Sequence, residues 1–224
     1  SSAASDVYKR QKSVYPNYDP KDGFELAGFV WFQGFNDMVG SYPSIDPGKG
    51  KKSIKDYSEY SRLLACLIRD VRKDLSAPKL PFVIGVLGVG GETAGDNTEA
   101  FRKSMAAPAG MEEFKGNVAN VNTATYWPTE LDAILAKVNA IKSEYAARDK
   151  ELKERQKNGG EWKKDQAKLE VEKRAKIEQV LTKDELFLLD NGISNQGFHY
   201  YGSAKFFGRI GKAFAETLVG LKKQ

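Results

Sequence analysis

An α/β fold built on a parallel sheet is predicted from three observations on this sequence. Short, unbroken apolar runs bounded by turn residues recur along it, a segment of helical period separates the first two, and a second helical stripe lies near the end. Strands buried on both faces read as continuous apolar runs. Their alternation with helices is the pattern of parallel strands joined by crossovers. A chain of 224 residues has room for one such domain, or a domain with an appendage.

The first strand is read at Glu25-Leu26-Ala27-Gly28-Phe29-Val30-Trp31-Phe32, stopped by Gln33-Gly34. A polar loop rich in Gly, Pro, Ser and Lys follows over 41–53. Tyr57, Tyr60, Leu63, Leu64, Leu67, Ile68, Val71 and Leu75 then fall on one helical face, with Arg62, Arg69, Lys73 and Asp74 off it. Ser76-Ala77-Pro78 ends that helix, and a second buried strand is expected over 82–89. A Gly-rich loop over 90–97 and a short helix over 99–107 lead to a third strand over 117–123, whose alternation places it nearer a sheet edge. The last helix, over 203–221, carries Phe206, Phe207, Ile210, Phe214 and Leu218 on one stripe.

Residues 130–185 differ in kind. They are dominated by Lys, Glu, Ala and Leu and are broken once, at Asn158-Gly159-Gly160. Ile134, Val138, Ile141 and Tyr145 space one arm, and Trp162, Leu169, Ile177 and Val180 suit the other, so a charged helical hairpin is predicted. It reads as an exposed decoration, with a partner-binding or substrate-shielding arm as the alternative.

Composition narrows the function. The pI near 9 invites a nucleic-acid reading. Residues 137–185, however, hold 14 basic and 11 acidic side chains closely interspersed, which describes a solvated helical surface instead of a basic patch. No cluster of basic residues with interleaved aromatics is present, so nucleic acid is not expected as a partner. No apolar run approaches the roughly 18–20 residues of a membrane span. One Cys (Cys66, read as a packed helical residue) and one His leave no zinc site, and no metal or organic cofactor is expected.

At the N-terminus, Asp6-Val7-Tyr8-Lys9-Arg10-Gln11 looks like a translated transposase end used in preparing DNA for sequencing. Residues 1–11 are therefore read as an adaptor scar and excluded from fold reasoning. The authentic chain is expected to run from about residue 12 to 224, starting in mid-gene. Any upstream strand or leader would then precede it.

Two places could carry chemistry. Ligands of open α/β sheets sit just outside the carboxyl ends of the strands, where Gln33-Gly34-Phe35-Asn36-Asp37 leaves the first strand. Gly34 lets the backbone approach a ligand, and the Asn36 amide can donate to a developing oxyanion. The lone His199 lies in Ser194-Asn195-Gln196-Gly197-Phe198-His199-Tyr200-Tyr201-Gly202, just before the last helix. Histidine is the usual base for activating a serine hydroxyl. The run Gly85-Val86-Leu87-Gly88-Val89-Gly90-Gly91 tempts a dinucleotide reading. Thr93 stands where the third glycine belongs and no helix begins at once, so it reads as a strand-end loop.

Together these residues match a family pattern. Gly34-Phe35-Asn36-Asp37 resembles the G-x-N-D block of SGNH hydrolases, and Trp31-Phe32-Gln33-Gly34 resembles the W-x-Q-G block of the sialate O-acetylesterases and related acetylxylan esterases. His199 sits where that family keeps its catalytic histidine. The resemblance covers most of 23–89 and 190–219. It implies a flavodoxin-like three-layer SGNH hydrolase fold, incomplete at the N-terminus, with the hairpin as an insertion. It also implies serine-dependent hydrolysis of acetyl esters on sugars. In that scheme Asn36 is an oxyanion donor, Gly34 shapes the loop, Gln33 lines the pocket and His199 is the base. Such proteins are often exported to where acetylated glycans are met, which points to an extracellular or periplasmic setting.

Two departures stand out. No serine lies in the family's G-x-S setting, and Ser41 or Ser203 would be poor substitutes, so the nucleophile is expected upstream. The family's Asp three residues before the histidine is Gln196 here. Gln196 could orient the ring but not stabilise imidazolium. Either Asp190, the nearest acid upstream, supports His199, or a main-chain carbonyl orients it in a Ser–His dyad. The alternatives are a non-catalytic carbohydrate-binding or scaffolding domain on the same fold and, further off, a helical interaction protein working through 130–185.

Overall fold

A computed structural model describes residues 13, 15–19, 21, 23, 25–46, 48 and 52–223; the adaptor-like segment 1–11 lies outside them. The chain is a mixed α/β protein with a small parallel sheet. Strands β1 (Phe29–Trp31), β4 (Phe82–Val86) and β5 (Val118–Asn122) pair in the order β1-β4-β5, both pairs parallel. Phe29, Val30 and Trp31 sit opposite Phe82, Val83 and Ile84, and Phe82 to Val86 sit opposite Val118 to Asn122. Between β1 and β4 lie the short helix α1 (Phe35–Val39), an antiparallel ribbon of β2 (Ser44–Ile45) and β3 (Ile54–Lys55), and the long helix α2 (Ser58–Asp74). The ribbon's first strand, β2, falls inside the stretch 41–53 expected to be a plain polar loop, and β3 follows directly after that stretch.

Every residue of β4 is buried, as its unbroken apolar run predicts. Its side chains divide by the pleat: Phe82, Ile84 and Val86 join the cluster formed with α2 and with α3 (Asp96–Ala106), whereas Val83 packs with Ala213, Phe214 and Leu218 of α8 (Ala204–Lys222). Helices therefore cover both faces of the sheet. Full burial of each of these side chains is worth about 1.5–3 kcal/mol. β1 is shorter than the eight-residue run suggested, and Val30 is 38% exposed because β1 borders the sheet among the described residues. β5 forms the other border, as its alternation foretold.

Residues 129–191 form a second packing unit. Helices α4 (Thr129–Glu144), α5 (Ala146–Lys157) and α6 (Lys163–Val180) include the predicted arms, with Asn158–Gly160 at the turn; α7 (Lys183–Asn191) follows. Leu131, Ile134, Val138 and Ile141 of α4 meet Ile177, Leu181 and α7 in their own cluster. Val180 departs from the predicted stripe and is 47% exposed. Lys173, buried between Asp149 (2.7 Å) and Glu170 (2.9 Å), joins α6 to α5. The exposed pairs around it add little individually. Among the described residues no helix is long and apolar enough to cross a membrane.

One buried cation ties the sheet's entrance together. The Arg72 guanidinium, at the end of α2, donates to the Leu80 carbonyl (3.2 and 2.9 Å), the Asn117 carbonyl (3.2 Å) and the Asn117 amide oxygen (2.6 Å). These groups lie immediately before β4 and β5. Arg72→Met keeps the aliphatic stem but leaves buried acceptors unpaired, at about 1–3 kcal/mol each. We predict a loss of about 3 kcal/mol in urea unfolding; a loss under 0.5 kcal/mol would contradict this role.

Candidate active site

The block leaving β1 is held from several sides. The Tyr60 hydroxyl donates to the Gln33 carbonyl (2.9 Å) and accepts from the Trp31 indole N–H (3.2 Å). The Tyr57 hydroxyl donates to the Met38 carbonyl (2.9 Å), while Lys55 Nζ reaches the Met38, Val39 and Gly40 carbonyls (3.2, 3.3 and 2.8 Å). Those carbonyls close α1 and would otherwise lack partners. Gly34 is buried, and a Cβ on it would lie 2.8 Å from the Phe101 ring and 3.3 Å from Met105. Only glycine permits this approach of the loop to α3.

The histidine loop is a 3-10 segment over Gly197–Gly202 with three consecutive left-handed residues: Tyr200 (φ 53°), Tyr201 (φ 58°) and Gly202 (φ 60°). For residues with a Cβ this conformation costs of order 1–3 kcal/mol and persists only where the surroundings enforce it. Here they do. Tyr200 turns inward, stacks on Phe206 (4.4 Å between centroids) and accepts the Gly88 N–H at 3.2 Å. Gly88 itself lies so close to Thr123 that a Cβ would be 2.7 Å from its carbonyl carbon. Tyr201 turns the other way and donates to Asp132 of α4, whose second oxygen accepts the Trp127 indole N–H. Burial first, and then the Asp132 carboxylate, raise the Tyr201 phenol's pKa.

Gln33, Gly34, Asn36 and His199 all line one cavity of about 500 Å³. The two loops meet through rings: Phe35 stacks on Phe198 at 5.4 Å, and Phe32 packs against Tyr200 at 5.3 Å. Leu87 and Met105 complete an apolar floor. Beneath it, Arg102 fixes the loop after β4 through the Leu87 (2.6 Å), Val89 (3.2 Å) and Gly91 (2.9 Å) carbonyls. Gln33 Nε2 donates to Asp37 (3.0 Å), whereas the Asn36 amide has no protein partner among the described residues.

Asn195 supplies what sequence reasoning missed. Its Oδ1 accepts the Gln196 N–H at 2.8 Å, which identifies that atom as oxygen, and it lies 3.0 Å from His199 Nδ1. Nδ1 is then the donor of that bond, and Nε2 is the ring nitrogen not engaged by Asn195. Neither expected support reaches the ring. Asp190 is held by Arg174 through two bonds of 2.7 and 2.8 Å, which lower its pKa. The Gln196 side chain lines a different cleft, and its carbonyl binds the His199 and Tyr201 amides. An amide four residues before the ring was the only available signal. Phe207 was also misplaced: it is 43% exposed and lines the cavity instead of joining the core stripe. Ser203 is buried as the cap of α8, and neither it nor Ser41 lines the cavity. Among the described residues no group of three or more His, Cys, Asp or Glu could hold a metal ion.

A preformed, mainly apolar cavity with a free amide and an oriented imidazole can polarise a carbonyl and move one proton. No family model, curated protein or solved structure matches the chain.

Burial pushes the Tyr60 phenol up to about 12. Its unfolded value is about 10, so the protonated phenol's stabilisation is complete below pH 10 and is lost as pH rises toward 12. That single group contributes a slope of about 1.4 kcal/mol per pH unit in this window. Urea unfolding at pH 9 and 11.5 should show a shallower loss in Tyr60→Phe than in the parent. Equal slopes would refute the assignment.

Proposed function

We propose that this chain carries the histidine and oxyanion-donor part of a serine carbohydrate esterase that removes acetyl groups from sugars. In this reading the domain is a flavodoxin-like SGNH fold like that of the sialate O-acetylesterases, with 130–185 as an insertion. The observation that supports it best is the meeting of Asn36 and His199, far apart in sequence, in one cavity.

The chemistry follows from the side chains. His199 Nε2 takes the proton from a serine hydroxyl as its oxygen attacks the ester carbonyl carbon. The Asn36 N–H donates to the oxygen as its charge grows. When the tetrahedral intermediate collapses, the sugar oxygen leaves with the proton from Nε2, and water repeats the cycle on the acyl-enzyme. Asn195 holds the ring's tautomer but stabilises imidazolium only through its dipole. No serine lines the cavity among the described residues, so the reading takes the nucleophile from an upstream segment.

A carbohydrate-binding domain without catalysis is the second reading. The uncharged Asn195 on the imidazole, where a hydrolase commonly has a carboxylate, favours it.

Kinetics of the full-length protein on p-nitrophenyl acetate and an acetylated sugar separate the two. The esterase reading expects His199→Ala to lower kcat by at least about 10³-fold. Asn36→Ala should lower it by about 10²–10³-fold with little change in KM. The 224-residue chain alone is expected to be inert toward a fluorophosphonate probe that labels the full-length protein. No hydrolysis by a folded full-length parent would leave the binding reading.

A further inference from the structure

The left-handed turn makes the histidine loop a partition. Asn195, Phe198, His199 and Tyr200 line the cavity on one side, while Gln196, Gly197 and Tyr201 face a second cleft of about 510 Å³ against α4. Asn195 borders both, so the two spaces adjoin across that residue. The second cleft differs in chemistry. Asp132, Asn139 and Lys142 of α4 line it together with the Tyr201 ring. The Asn139 and Gln196 amides and the Lys142 ammonium have no side-chain partner among the described residues. Asp132 is held in place by Tyr201 and Trp127.

We propose that this cleft is a subsite for a neutral sugar unit adjoining the acylated one, so that the site takes oligosaccharides in preference to monosaccharides. The proposal rests on the esterase or carbohydrate-binding reading of the adjoining cavity. Each amide offers two N–H donors and a carbonyl acceptor, the set that pairs with neighbouring hydroxyls of a sugar ring. An aromatic ring beside them offers an apolar face to the sugar's C–H groups. One carboxylate and one ammonium balance each other, which disfavours an anionic occupant. Strain in the turn serves this division: opposite placement of Tyr200 and Tyr201 creates both walls at once.

The test is a titration of the 224-residue chain with cello-, manno- and xylotetraose and the matching monosaccharides, followed by NMR of side-chain amide and histidine ring signals. We expect at least one tetrasaccharide to bind tenfold or more tightly than its monosaccharide and to shift the Asn139, Gln196 and His199 signals together. Asn139→Ala with Gln196→Ala should remove that gain while leaving monosaccharide binding unchanged. Equal affinities, shifts that spare Asn139 and Gln196, or no binding by any sugar would overturn the proposal. Hydrolysis by the full-length protein with those amides unmoved removes the subsite and keeps the esterase. The tetrasaccharide gain without any hydrolysis removes the esterase and keeps the subsite.

Discussion

A left-handed backbone crowds any residue that carries a Cβ, and the loop before the last helix adopts it at two tyrosines in succession. Neither would hold it alone. Tyr200 is locked inward by ring stacking on Phe206 and by the Gly88 N–H, and Tyr201 is locked outward by the half-buried Asp132. The two anchors pull on opposite sides of the peptide between them. His199, immediately before Tyr200, inherits its position from that opposition, and so do the Phe198 ring and the hydrogen bond to Asn195. The sheet enters this arrangement through Gly88, and the helical unit enters through Asp132. Both packing units of the chain thus converge on one short loop.

The facing loop is fixed by a different device. Cationic side chains reach several backbone carbonyls at once: Lys55 at the end of α1, Arg102 beneath the loop after β4, and Arg72 at the opposite end of the sheet. Carbonyls at strand and helix ends are poorly served by regular structure, and a single guanidinium or ammonium satisfies a group of them. The floor and rim of the cavity therefore rest on anchored backbone, and among the described residues the Asn36 amide and the outer nitrogen of His199 are polar groups there without a protein partner. Unpaired polar groups on an otherwise apolar, well-supported wall are what a binding or reacting site requires.

Much of this was legible from residue order, and the misses have physical reasons. β4 and its crossover helices follow from local pattern because a strand buried on both faces has an unbroken apolar signature. Val30 broke the pattern because burial depends on what lies beside a strand, which its own residues do not record. Phe207 and Leu63 fit a helical stripe by spacing, yet one lines a cavity and the other is 50% exposed; periodicity assigns a face, not what faces it. The candidate residues Gln33, Gly34, Asn36 and His199 were visible as strand-end and loop signals. Asn195 was not, because its bond to the ring exists only through the folding of the 3-10 segment. Asp190, the nearest acid by sequence, lies on α7, where Arg174 of the neighbouring α6 claims it. Buried Arg72 and Arg102 were harder to read, since most of their partners are main-chain carbonyls, which every residue has.

In the proposed esterase, Asn36 and His199 address one reacting carbonyl. The most direct measurement is a crystal structure of the full-length protein after reaction with a phosphonate ester, a stable mimic of the tetrahedral intermediate. The proposed esterase should show a phosphonylated serine in the cavity, its oxygen within about 3 Å of His199 Nε2 and a phosphonyl oxygen accepting from the Asn36 amide. An adduct elsewhere in the protein, or a cavity that stays unmodified while hydrolysis proceeds, would contradict it.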